Sequence, residues 1–251
     1  MAKSEKTVLS SEQVSTSAAQ PEGSGKKLVQ FICQSKGGVG KSVLTYLLAL
    51  KYPEADVLDM DDATHTTMRQ LAFRDPQHVS FLNDFNTIDR GMFNDFIENV
   101  AESDEDHIIC DLGASVSEQL PYYFRDVNAR SIAALLTDVN LSLSLICVVG
   151  GSDIFSATMN YLQEMVKAVD GAFPVTIAVN GYHKLLDAQA ATLNEFAAAH
   201  NLQVTHFNVS RDGNASSQAR IKEVLDSGKG LAGAPLFSRH FFNEAVSALA
   251  L

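Results

Sequence analysis

The chain has 251 residues, 46% of them hydrophobic and 20% charged, and a formal charge of −11 at pH 7. That length suits one well-cored α/β domain better than two, and no apolar run approaches the roughly 18 residues that a membrane span needs. Such acidity argues against gripping bare nucleic acid, which depends on a basic face to neutralise phosphates.

Residues 1–26 are rich in Ser, Gln, Glu and Gly, show neither helical nor strand periodicity, and read as a disordered, mobile tail. They lack the apolar core of a secretory signal, so a cytoplasmic protein is expected. Lys3, Lys6 and Lys26 balance Glu5, Glu12 and Glu22, which assigns the whole −11 to the expected folded domain, residues 27–251. From Lys27 onward, short apolar runs alternate with longer amphipathic segments. This is the pattern of an α/β fold with a doubly wound, mostly parallel sheet and helices on both faces. Strands are expected at 28–34, 55–60, 107–112, 143–149, 175–180 and 203–209. Helices are expected to begin near Lys41, Thr87, Ser117, Asp153, Leu186 and Ala215, with a last one through "LFSRHFFNEAVSALAL".

Functional groups of such a fold gather at the carboxyl ends of the strands. After the first strand comes "SKGGVGKS", residues 35–42. Glycines there let several backbone N–H groups converge on one anion, and the following helix adds its positive end. Gly37, Gly38, Val39, Gly40, Lys41 and Ser42 match the end of the P-loop pattern, with Lys41 reaching the terminal phosphates and the Ser42 hydroxyl on Mg2+. The pattern's first glycine falls at Ser35, and the ordinary P-loop has no role for Lys36.

The second strand ends in Asp59-Met60-Asp61-Asp62. Strand alternation puts Asp59 and Asp61 on one side, able to approach the same phosphate and metal, with Asp62 as a substitute for Asp61 in another loop register. The third expected strand ends in Asp111, a carboxylate after an apolar run, whose burial is costly unless a cation such as Mg2+ compensates it. The fifth ends in Asn180. Cys33, Cys110 and Cys147 all lie in apolar runs, an odd count without metal or disulfide spacing, and read as buried thiols. The seven histidines show no ligand spacing.

"KGGVGKS" resembles the deviant Walker A box of the ParA/MinD family of P-loop ATPases, whose extra lysine sits where this chain has Lys36. The resemblance implies that Lys36 reaches across a dimer interface to the nucleotide of the other subunit, so that ATP binding drives homodimer closure. It also places Asp61 at the attacking water and in the metal set, Asp111 on Mg2+ through water, and Asn180 against the adenine base. Many members carry proline where this chain has Leu112-Gly113 after the aspartate. "DLGAS" and "FPVTIAVNGYHK" are similar to stretches of the TraL-like ATPases of plasmid transfer regions.

Nitrogenase iron protein shares this loop but needs cluster cysteines in loops, which this chain lacks. A membrane-cycling relative would end in a basic amphipathic helix, and "SRHFFNEAVSALAL" carries too little charge for one. The expected protein is therefore an ATPase switch whose closed dimer is read by a protein partner, with no membrane contact. Direct binding of DNA, as in a partition motor, is disfavoured by charge, since Arg211, Arg220, Lys222, Lys229 and Arg239 are interleaved with Asp212, Glu223 and Asp226. The alternative is a metabolic enzyme that uses ATP to phosphorylate or ligate a small substrate; Lys36, which a single-subunit catalyst does not need, favours the switch.

Overall fold

The structure is a computed structural model that describes residues 26–209 and 214–251. The tail expected over residues 1–26, apart from Lys26, lies outside the described residues, as do Arg211 and Asp212. Among the described residues, seven strands make one sheet: β1 (Lys27–Cys33), β2 (Asp56–Met60), β3 (Gln77–His78), β4 (His107–Leu112), β5 (Leu141–Gly150), β6 (Val175–Asn180) and β7 (Gln203–Phe207). Their order is β3-β2-β4-β1-β5-β6-β7, and every ladder is parallel.

The helices are α1 (Lys41–Lys51), α2 (Thr66–Gln70), α3 (Arg90–Glu102), α4 (Ala114–Val127), α5 (Ala129–Asp138), α6 (Phe155–Val169), α7 (Asp187–Ala199), α8 (Ala215–Asp226) and α9 (Leu236–Ala248). Strand periodicity splits the core into two layers. Val29, Phe31 and Cys33 of β1, with Leu143, Leu145, Cys147 and Val149 of β5, face α3–α7. Ile32, Ile146 and Val148 point the other way, toward α1, α8 and α9. Burial on both faces is why these strands read as nearly unbroken apolar runs.

Six strands and most helices stand where the sequence places them; the differences have local causes. β3 has only two residues, paired with Leu58 and Asp59, too few to show an alternation. The segment expected to start near Thr87 becomes helical at Arg90, because the Asp89 carboxylate caps it by accepting from the N–H groups of Gly91 and Met92. The helix expected from Ser117 begins at Ala114, directly after Gly113, and Asn128 at φ 64° divides it from α5. β7 leaves the sheet after Phe207, the residue in register with Asn180, two residues earlier than expected. All three cysteines are buried and free.

The connections decide where a ligand can enter. β1 feeds α1 on one face of the sheet, while its neighbour β4 feeds α4 on the other. Their loops diverge, which opens a crevice at the carboxyl ends of the two strands. Register adds a third loop: Asp111 of β4 lies opposite both Ile32 of β1 and Asp59 of β2.

Phe31 is fully buried among the rings of Phe81 and Phe96, with centroids 6.1 Å away in each case. Phe31→Ala is expected to cost about 3–5 kcal/mol in urea unfolding. Phe85→Ala, at a side chain 85% exposed, should stay within about 0.5 kcal/mol, and a large loss there would contradict this account of the core.

Candidate nucleotide site

The loop between β1 and α1 is built as a phosphate cradle. Gly40 stands at the N-cap of α1 with φ +103°, a conformation that side chains resist, and a Cβ there would run into the amide of Asn180. The two lysines of the loop are placed differently. Lys41 is turned inward, and its ammonium donates to the Gln34 carbonyl at 3.0 Å. Burial lowers its pKa, against which the charges of Asp111 and Asp61 act. Lys36 is exposed, and among the described residues only its backbone N–H is engaged, donating to Gln34 Oε1 at 3.3 Å.

The residue that anchors the loop, Gln34, was not singled out in the sequence. It is fully buried and donates from Nε2 to the carbonyls of Val148 and Thr158, at 2.8 and 3.3 Å. Its backbone N–H donates to the hydroxyl of Ser117 at 3.2 Å, so Ser117 ties α4 to the root of the loop. The sequence signal for Gln34 is faint: a polar residue closing an otherwise apolar strand.

Four aspartates follow β2 and β4, and they do different work. Asp59 is fully buried, and its carboxylate accepts from the N–H groups of Asp61 and Met68, both at 3.0 Å. It folds the loop between β2 and α2, so the expectation that it approaches a metal beside Asp61 is corrected. Asp61 lies at the mouth of the crevice, with Oδ1 accepting from Ala63 N at 3.1 Å and Oδ2 from the Thr64 hydroxyl at 2.6 Å. Gly113 passes so close that a Cβ there would stand 2.9 Å from the Asp61 Cα. Asp62 does not serve as a substitute, because it pairs with His78 Nε2 at 3.0 Å and accepts from the Ser80 hydroxyl at 3.0 Å.

Asp111 is 2% exposed. Its Oδ2 accepts from the buried Thr67 hydroxyl at 2.5 Å, which joins α2 to the end of β4. Among the described residues its Oδ1 has no hydrogen-bond donor in good geometry. Burial pushes the carboxyl up to about 6; Ser42, Thr67 and Lys41 pull it down, and Asp59 adds to the rise. An orphaned, buried carboxylate oxygen facing Ser42 and Lys41 is a donor set that would suit a Mg2+ arriving with nucleotide, and Ser42 and Asp111 are the residues that would hold it. Among the described residues, no group of three or more His, Cys, Asp or Glu side chains could hold a metal, so nucleotide oxygens and water would complete its shell.

On the other side of the loop a cavity of about 440 Å³ opens between Gly38, Gly40, Asn180, Phe207 and the α8 residues Gln218 and Lys222. Asn180 is 5% exposed and holds the cradle from below: Nδ2 donates to the Val39 carbonyl at 2.8 Å, and Oδ1 accepts from Tyr182 N at 3.0 Å. His183 Nε2 lies 3.2 Å from the Gly38 carbonyl. Of the residues expected at the site, the structure brings the loop Gly37–Ser42, Asp61 and Asp111 together at the crevice, places Asn180 beneath the cradle and leaves Lys36 on the outside.

No family model matches the chain, and no curated protein does. Among solved structures the chain is similar to a plasmid partition protein from Borrelia burgdorferi, at 15% identity over 80% of this chain and 97% of that one, with a TM-score of 0.42. A second plasmid partition protein of that organism, bound to AMPPNP, is similar at 12% identity over 88% and 97% of the two chains, TM-score 0.43. The signal recognition particle 54 kDa protein of Aeropyrum pernix K1, in complex with GDP, is similar at 12% identity over 88% of this chain and 50% of that one, TM-score 0.47. Identities this low speak to the fold alone, and TM-scores below 0.5 add no argument about chemistry.

The Asp111 carboxyl binds its proton more tightly folded than unfolded, so stability should fall as pH rises from about 4 to about 6. A carboxyl at about 6 instead of 3.8 corresponds to roughly 3 kcal/mol of differential stability. Asp111→Asn, measured by urea unfolding without nucleotide, should flatten that slope and stabilise the protein at pH 8. An unchanged slope would mean that the charge is already compensated.

Proposed function

We propose that this protein is a Mg2+-dependent, slowly hydrolysing ATP switch whose ATP-bound homodimer closes and is read by a protein partner in plasmid transfer, partition or positioning. The observation that carries the reading is the opposite placement of two lysines on one loop. Lys41 is half-buried and turned against the loop it serves. Lys36 is exposed, and among the described residues its ammonium has no ion-pair or hydrogen-bond partner. A cation held outside its own site is suited to meet phosphate only when a second subunit brings one, which links nucleotide binding to association.

In this reading the backbone N–H groups from Gly37 to Lys41 hold the phosphates, and the Lys41 ammonium moves from the Gln34 carbonyl onto the terminal ones. Bound Mg2+ neutralises charge on the phosphate oxygens. Asp61, oriented by Ala63 and Thr64, positions water for in-line attack, and Lys36 of the second subunit neutralises charge developing in transfer. Asn180 has one amide hydrogen left after bonding Val39, and it faces the cavity where an adenine would lie. Among the described residues no helix is long and apolar enough to cross a membrane, in keeping with a cytoplasmic switch.

Lys36→Ala should retain ATP affinity within a few-fold yet lose hydrolysis by a factor of about 10³ or more, while Lys41→Ala should weaken binding itself. Solution mass by light scattering should double with Mg-ATP for the native protein and not for Lys36→Ala. Hydrolysis at the native rate in Lys36→Ala would sink the cross-subunit role.

A further inference from the structure

A second concavity, of about 460 Å³, lies at the far edge of the sheet. Its helical wall is a stripe of α3: Met92, Asp95, Phe96, Asn99 and Val100, at the spacing of one helix face. Leu58, Val79 and Ile108 of the sheet side give it an apolar floor, and Asp56 and Asp95, both exposed, stand at its rim. The loop that joins the two walls presents Phe85, 85% exposed. That loop is braced: Asn83 Oδ1 accepts from Phe85 N at 2.9 Å and from Thr87 N at 3.2 Å, and Gln119 of α4 holds Ile88 N and the Asn86 carbonyl at 3.0 and 2.9 Å.

Charge identifies what fits. Nine of the chain's 30 carboxylates lie between residues 75 and 106, where Arg90 is the one lysine or arginine, so this segment carries −8 of the formal −11. An apolar floor with exposed Met92 supplies the contacts that protein interfaces favour, and the negative charge of this segment steers cations to them. Nucleic acid would bring phosphates to an already negative face. A second copy, docked by two-fold symmetry, would bring the same carboxylates.

We infer that the α3 groove docks a basic amphipathic segment of a different protein, its apolar side on Val79, Met92 and Phe96 and its cations on Asp56 and Asp95. The groove is also joined to the loop that carries Asp61. Asp62 holds Ser80 of the groove wall and the neighbouring His78, and Val79 N donates to the Asp59 carbonyl at 3.0 Å. The partner's access to the switch state through this clamp rests on the function proposed above; the docking does not.

The test uses the full chain without nucleotide and a fluorescent 18-residue peptide of Leu and Lys at amphipathic helical spacing, with a Leu/Glu peptide as control. Anisotropy should report binding of the Leu/Lys peptide alone. Asp56→Lys/Asp95→Lys should weaken it by about tenfold or more, while Asp138→Lys/Glu195→Lys, an equal charge change on α5 and α7, should leave it within about twofold. Hydrogen-exchange protection should appear over residues 77–80 and 92–103. Equal weakening by both double variants, or protection elsewhere, would overturn the groove as the docking site. So would a nucleotide-free dimer of the native protein that Asp56→Lys/Asp95→Lys abolishes, which would give the groove to self-association. Lys36→Ala should bind the peptide as the native chain does, so a failed switch and a failed groove give different results.

Discussion

Asp111 is buried at the end of β4, where among the described residues Thr67 donates to one carboxylate oxygen and the other has no donor in good geometry, and the loops at this end of the sheet are arranged around it. The parallel register of β2, β4 and β1 sets Asp59, Asp111 and Ile32 side by side. Three loops therefore leave the sheet within reach of one charge. A buried carboxylate costs several kcal/mol unless it is paired, and the protein carries that cost in its ligand-free fold. The compensation comes from Lys41 and Ser42 in part, and a cation that arrives with nucleotide would complete it. Binding at such a site stabilises the fold as well as the ligand.

The cradle itself is held by neutral groups. Gln34, Asn180 and Ser117 fasten its backbone from below and behind through hydrogen bonds to or from Val148, Val39 and the Gln34 N–H. Buried amides and hydroxyls can do this without adding charge next to phosphates, and each makes a hydrogen bond, as burial requires. The acidic groups are divided by the same logic: Asp59 folds a turn, Asp62 clamps the edge strand, and Asp61 is left at the mouth. Of the formal −11, −8 falls between residues 75 and 106, outside the residues that form the cradle.

Much of this was legible in the residues. The strands β1, β2, β4, β5 and β6 are buried on both faces or nearly so, and mostly apolar runs report that directly, whereas β7, at the sheet edge with Gln203 and His206 exposed, shows an alternation instead. β3 was missed because two residues carry no period, and α2 because a single turn between aspartates and threonines looks like loop. Ser117 marked a helix start but is buried inside α4, its hydroxyl taken by the Gln34 N–H. Asp62 looked equivalent to Asp61 because the two are adjacent; their difference is made by His78 and Ser80, about sixteen residues away in the chain.

The residues from 36 to 42 announce an anion-binding loop on their own, since glycine spacing and a following helix are local properties that a short stretch encodes. Alternating apolar runs likewise settled the α/β class. Tertiary structure alone decided which aspartate stands at the mouth of the crevice, which polar groups hold the loop, and that a groove opens beside α3. Those outcomes depend on register between strands far apart in sequence, such as Ile32 with Asp111 and Asp59 with Asp111, and on side chains that meet only after the sheet has formed. A linear pattern carries the chemistry of a residue, but its partners are assigned by the packing of the whole chain.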